Sequence, residues 1–157
     1  MKLKHGILTL SLGLAVALGG FSGSQAFFNS PLAANSHYRP VNFGMGYEMY
    51  VDLSSLETVK DDGRGWIFKV NLFRSPEDSG NIEGTYTLTY KVAHGQAWLY
   101  NDSTHSWQEI PMRKKEIKHN QIADFVAVNL CYKQKTGQYL NDDYGYAKGM
   151  EHYYKGE

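Results

Sequence analysis

Apolar and polar residues alternate with a period of two along the middle of this chain, the signature of strands with one buried and one wet side. The clearest run is 85–92, where Tyr86, Leu88, Tyr90 and Val92 alternate with Thr85, Thr87, Thr89 and Lys91. Trp66, Phe68, Val70 and Leu72 share one side of 66–73, with Lys69 and Asn71 on the other. Tyr47, Met49, Val51 and Leu53 share one side of 47–53. Shorter runs at 96–100 and 107–110, the latter stopped by Pro111, complete a set of about five strands.

Turn chemistry separates these runs. Ser54-Ser55-Leu56-Glu57 predicts a single turn, Lys60-Asp61-Asp62-Gly63 a reversal and 75–81 a polar loop. His94-Gly95 predicts a tight hairpin, because His tolerates positive φ better than most residues. Beyond residue 119 the period changes. Ile122, Phe125, Val126, Asn129, Leu130 and Lys133 follow helical spacing, with Asn120 as cap and Gly137 as stop. Val126, Val128, Leu130 and Tyr132 also alternate like a strand, but the span of about fifteen residues exceeds a usual strand and favours helix.

Residues 27–46 show no steady period and read as a loosely ordered leader that docks Phe43 on the core. The tail after Gly137 is rich in Tyr and Asp, and either lays its rings across a sheet edge or stays mobile. The predicted fold is α+β: an antiparallel sheet of about five strands with the C-terminal helix packed on one face. Its expected core is Tyr86, Leu88, Tyr90, Val92, Trp66, Phe68, Val70, Phe125, Val126 and Leu130. Residues 47–157 form one domain in this reading.

The N-terminus has a different design. Lys2 and Lys4 precede an apolar run over 7–18, and small residues end at Ser24-Gln25-Ala26. This is the layout of a secretory signal, residues 1–26, cut after Ala26, with Ala34 as the alternative cut. The apolar run falls short of the roughly 20 residues a membrane helix needs, so no integral membrane segment is expected after the signal is removed. No cysteine lies just after the run, so the exported protein is expected to be periplasmic or extracellular and not lipid-anchored. Cys131 is the single cysteine and has no internal disulfide partner.

Charge narrows the partners. Sixteen Lys and Arg balance sixteen Asp and Glu, which gives no basic surface for nucleic acid. Residues 112–119 concentrate Arg113, Lys114, Lys115 and Lys118, either an anionic partner site or, as favoured, a solvated connector. The histidines lack the spacing of a helical metal pair, and 141–145 lacks the alternating oxygens of a calcium loop. No metal or cofactor is expected. Ser54-Ser55 reads as a turn and Cys131 as core, and Asp61-Asp62 and Asp142-Asp143 point to solvent. Trp98, Tyr100 and Trp107 lie on or beside the hairpin. They are either core aromatics or, with Tyr144 and Tyr146 of the tail, a contact patch.

Tyr50-Val51-Asp52-Leu53-Ser54-Ser55-Leu56, a Gly turn and then Trp66-Ile67-Phe68-Lys69-Val70 resemble the opening of the surface-adhesin protein E family. The order of aromatic strands before a C-terminal helix is also similar, and the resemblance covers residues 47–132. It implies a small exported bacterial protein, with adhesion to host matrix and serum proteins as the family's named role. The chain departs from the lipoprotein pattern common among such adhesins, and no binding residue is carried over. The expected function is therefore non-enzymatic protein contact in the envelope or at the cell surface. The alternatives are a periplasmic binder of a small ligand or peptide, and a hydrolase with a spatially assembled site.

The export reading makes one direct prediction. Intact-mass measurement of the protein recovered outside the cytoplasm should show a chain beginning at Phe27. Recovery of exported protein that still begins at Met1 overturns it.

Overall fold

The computed structural model describes residues 30–113, 116–142 and 145–155, with side chains described through Glu151. The expected signal, residues 1–26, lies outside them. Six strands form one antiparallel sheet in chain order: β1 (Tyr38–Gly44), β2 (Tyr47–Asp61), β3 (Trp66–Pro76), β4 (Gly84–Ala93), β5 (Gln96–Asn101) and β6 (Ser106–Ile110). Helices α1 (Ile122–Thr136) and α2 (Tyr146–Lys155) follow. The sheet is antiparallel with a C-terminal helix, as the two periods predict, but it has six strands rather than five. Among the described residues no helix is long and apolar enough to cross a membrane.

The extra strand is β1, so part of the presumed leader is ordered. Its pairing passes from Pro40 opposite Tyr50 to Asn42 opposite Met49 and skips Val41. That bulge, beside a proline, erases the alternation that would have announced a strand. Residue Ser30 is buried and Pro31 abuts Gly80, where a Cβ would come within 2.9 Å of the proline ring. A cut after Ala34 would remove both contacts.

β2 is also longer than predicted. From Asp52 to Glu57 it advances five residues while β3 moves only two, from Asn71 to Lys69. The expected turn at 54–57 is instead a bulge inside a continuous strand. Ser55 makes this tolerable: its hydroxyl donates to the Asp52 carbonyl at 2.6 Å and accepts the Asn71 N–H at 2.8 Å. Two backbone groups at the bulge, the Asp52 carbonyl and the Asn71 N–H, are thus satisfied.

Trp66, Phe68, Val70, Leu72, Tyr90 and Val92 form one hydrophobic core with Phe125, Val126, Val128 and Leu130 of α1. The side of the sheet carrying these strand residues is the inner side. Two expectations need correction. Tyr86 lies on this side but is 49% exposed, and Leu88 is only partly buried. Alternation assigns a face to a residue; it does not say how far the cover on that face extends. Gly137 ends α1 with φ 82°, as predicted, while Asn120 sits in a 3-10 turn (His119–Gln121) that precedes the helix rather than capping it.

The outer side also has a buried corner. Tyr50 stacks on Phe73 at 5.5 Å, and Tyr38 meets the same ring edge-on at 4.8 Å. Beside them Glu48, 2% exposed, accepts the Tyr50 hydroxyl at 2.7 Å. The tail is ordered by two polar anchors. Asn129, inside the core, donates to the Phe125 carbonyl and accepts the Asn141 N–H, each at 3.0 Å. Asp142 then accepts the Ala147 and Lys148 N–H groups at 3.0 and 2.8 Å and so caps α2. The expectation that Asp142 points to solvent is corrected by that role.

One polar contact crosses the core between sheet and helix: the Tyr90 hydroxyl donates to Asp124 Oδ1 at 2.7 Å. Burial raises the Asp124 carboxyl above its ordinary value, and the hydrogen bond only partly opposes this. The folded state therefore holds this proton more tightly than the unfolded chain. Its stabilising contribution is complete below the ordinary aspartate pKa and fades as pH rises through the raised folded value. Asp124→Asn keeps an acceptor for Tyr90 and removes the titration. Urea unfolding between about pH 3 and pH 7 should show the variant gaining stability on the native protein as pH rises. Parallel profiles would contradict the burial of an ionisable Asp124.

Candidate functional site

Three aromatic side chains and one lysine meet on the outer side of β4, β5 and β6. The cause is local. His94 and Gly95 adopt φ 52° and 74°, so a two-residue turn pairs Ala93 with Gln96, Val92 with Ala97 and Lys91 with Trp98. Val92 faces the core, so Lys91 and Trp98 face away from it. One strand further, Tyr100 pairs with Trp107 and Trp98 with Glu109, which puts all of them on the same outer side. Ala97 and Leu99 take the inner positions.

The geometry is a small aromatic platform around a cation. Lys91 Nζ stands 4.4 Å from the centre of the Trp98 ring and 5.1 Å from that of Trp107. Tyr100 meets Trp107 edge to face, with centroids 5.1 Å apart. The three rings are partly exposed. A lysine over an exposed ring contributes about 0.5–1 kcal/mol, enough to hold the rings without burying them. The core reading of these aromatics is thus corrected. The signal was present in the chain: Lys91 reads as outward, and a two-residue turn after Ala93 forces Trp98 to its side.

The other two expected patch residues do not join them. Tyr146 opens α2 and meets Phe125 edge-on at 6.2 Å, packed against the core on the inner side. The sheet separates it from Trp98. Tyr144 lies outside the described residues.

The residues weighed for catalysis have structural occupations. Cys131 is fully buried, and burial pushes its thiol pKa far up. Ser54 donates to Asp52 Oδ1 at 2.6 Å, and Ser55 bridges the bulge. Among the described residues no group of three or more His, Cys, Asp or Glu could hold a metal ion.

A hollow of about 300 Å³ opens where the β2–β3 turn, the β4–β5 turn and the end of α1 converge. Trp66, Val92 and Leu140 are among its lining residues. Trp66 is 4% exposed, and its indole N–H donates to Thr58 Oγ1 at 3.0 Å. The rim is charged. Asp61 is paired with Lys135, which also stands 4.4 Å over the Trp66 ring. Asp62 pairs with Lys60 at 3.0 Å and accepts the Arg64 and Gly65 N–H groups. These lysines, with the turn N–H groups, hold both carboxyls below their ordinary range. The expectation that this acidic pair simply faces solvent missed the partner on α1. A second hollow of about 230 Å³ lies between the β1–β2 tip and His119, lined by Phe43, Met45, Met49 and Arg74.

The two tryptophan environments predict opposite responses. Trp66→Ala should cost about 3–5 kcal/mol, because it empties a packed site. Trp107→Ala should cost about 1 kcal/mol, the scale of its contacts with Lys91 and Tyr100. Chemical unfolding of both variants checks this, and equal losses would return Trp107 to the core. Set against family models, curated proteins and solved structures, the chain matches none.

Proposed function

We propose that this is an exported, non-enzymatic protein that works by protein contact through its outer face, in the manner of a surface adhesin. The observation that carries the reading is the position of Trp98, Tyr100 and Trp107 on the outer side of the sheet, gathered around Lys91. The hydrophobic core is assembled without these rings. Trp and Tyr at partly exposed positions are the residues that dominate protein interfaces, since they offer large area at small entropic cost. Lys91 and Glu109 flank the rings with one charge of each sign, which suits a polar rim that sets orientation.

The export segment expected at residues 1–26 and the resemblance expected of residues 47–132 to the surface-adhesin protein E family point to the same reading. The partner is expected outside the cytoplasm, in the envelope or on host matrix. The test compares the native protein with a Trp98→Ser, Trp107→Ser double variant on immobilised matrix proteins and on envelope extract. The native protein should retain a partner, and the variant should lose at least about tenfold in affinity while melting within a few degrees of it. Equal retention by both, or none by either, would overturn the reading.

A further inference from the structure

We propose that the hollow at the β1–β2 tip is a site for a soft monovalent cation, copper(I), held by the thioethers of Met45 and Met49 and the imidazole of His119. All three residues line this hollow of about 230 Å³. They come to it from separate places in the chain: the turn between β1 and β2, the third residue of β2, and the 3-10 turn that precedes α1. Thioether sulfur is a neutral, soft donor that selects copper(I), and imidazole suits copper as well. Hard cations take oxygen ligands instead.

The first argument is the turn. Gly44 pairs with Tyr47, so Met45 and Gly46 are the two loop residues, with φ 57° and 77°. A two-residue hairpin turn with both central φ positive favours Asn, Asp or Gly at its first position, because the Cβ of other residues is strained there. Met45 breaks that rule, and it does so 98% exposed, where packing gives nothing in return. Neither the turn nor the core accounts for a methionine here. A role for its sulfur does, since backbone strain is retained where a function needs it.

The second argument is what the tip faces. Met49 lies across from Asn42 of β1 and Arg74 of β3, and it packs against the hydrophobic core. It is the anchored donor. Met45, with three rotatable side-chain bonds, is the donor that adjusts. Arg74 lines the hollow too and opposes a cation; its guanidinium stands 5.1 Å over the Tyr47 ring. Coulomb repulsion scales with ionic charge, so this neighbour costs a monovalent ion half what it costs a divalent one. Neutral donors beside a fixed positive charge thus favour copper(I) over zinc(II). The site belongs to β1, β2 and the turn before α1, and does not depend on the contact role of the rings on β5 and β6.

The probe is silver(I) nitrate in chloride-free buffer, a redox-inert stand-in for copper(I). Calorimetry on the purified protein gives affinity and stoichiometry, and methionine-methyl shifts in a carbon-13 spectrum give the place. One silver ion should bind per chain with a Kd of about 10 μM or below. The methyls of Met45 and Met49 should shift together while those of Met112 and Met150 stay. Copper(I) added without oxygen should displace the silver, and zinc(II) should bind at least about a hundredfold more weakly. Met45→Asn suits the turn, so it should melt at or above the native temperature yet weaken silver at least about tenfold. Met49→Leu and His119→Gln should each weaken it by a similar factor. Cys131→Ala should bind silver as the native protein does, which separates this site from the buried thiol. No saturable binding up to about 1 mM silver would overturn the proposal. So would shifts confined to one methyl, failure of copper(I) to compete, undiminished binding by Met45→Asn, or loss of binding in Cys131→Ala.

Discussion

The one hydrophobic contact in which β2, β3, β4 and α1 bury residues together is the constraint on which the other features rest. Phe68, Val70, Tyr90, Phe125, Val126 and Val128 are fully buried within it. Each such side chain contributes roughly 1.5–3 kcal/mol before chain entropy is counted. Once Tyr90 and Val92 are committed inward, strand geometry leaves Lys91 no choice but the outer side. The hairpin then places Trp98 beside it. The outer aromatic platform is in this sense a by-product of the inner core.

Polar groups within that contact do as much to specify the fold as the apolar ones. Asn129 occupies a fully buried position on α1, and its amide is spent on the Phe125 carbonyl and the Asn141 N–H. The second bond fixes where the chain leaves α1. Asp142, next in line, caps α2, and Glu151 on α2 returns to Lys133 and Tyr139. A chain of side-chain bonds therefore runs from core to tail. No buried side-chain nitrogen or oxygen among the described residues lacks a partner. Unmatched polar atoms at these depths would cost more than their bonds contribute.

The outer platform offers area: three rings held open by a lysine that stands over two of them.

Much of this was written in the chain itself. The alternation over 66–73 and 85–92, the His94-Gly95 turn and the stop at Gly137 determine strands, hairpin and helix end, because each rests on contacts between near neighbours. The parity that sends Trp98 outward follows from the same local rules. Tertiary structure alone decided the rest. β1 exists because β2 offers it an edge, and its bulge at Val41 hides it from any periodic reading. The Ser55 bulge looks like a turn until the Asn71 N–H is seen to need an acceptor. Tyr86 has the right parity but lies where the inner side is left exposed. The Asp61–Lys135 pair joins residues 74 positions apart, and no local rule reaches that far. Periodicity sets which way a side chain points; only the packed chain sets what it meets there.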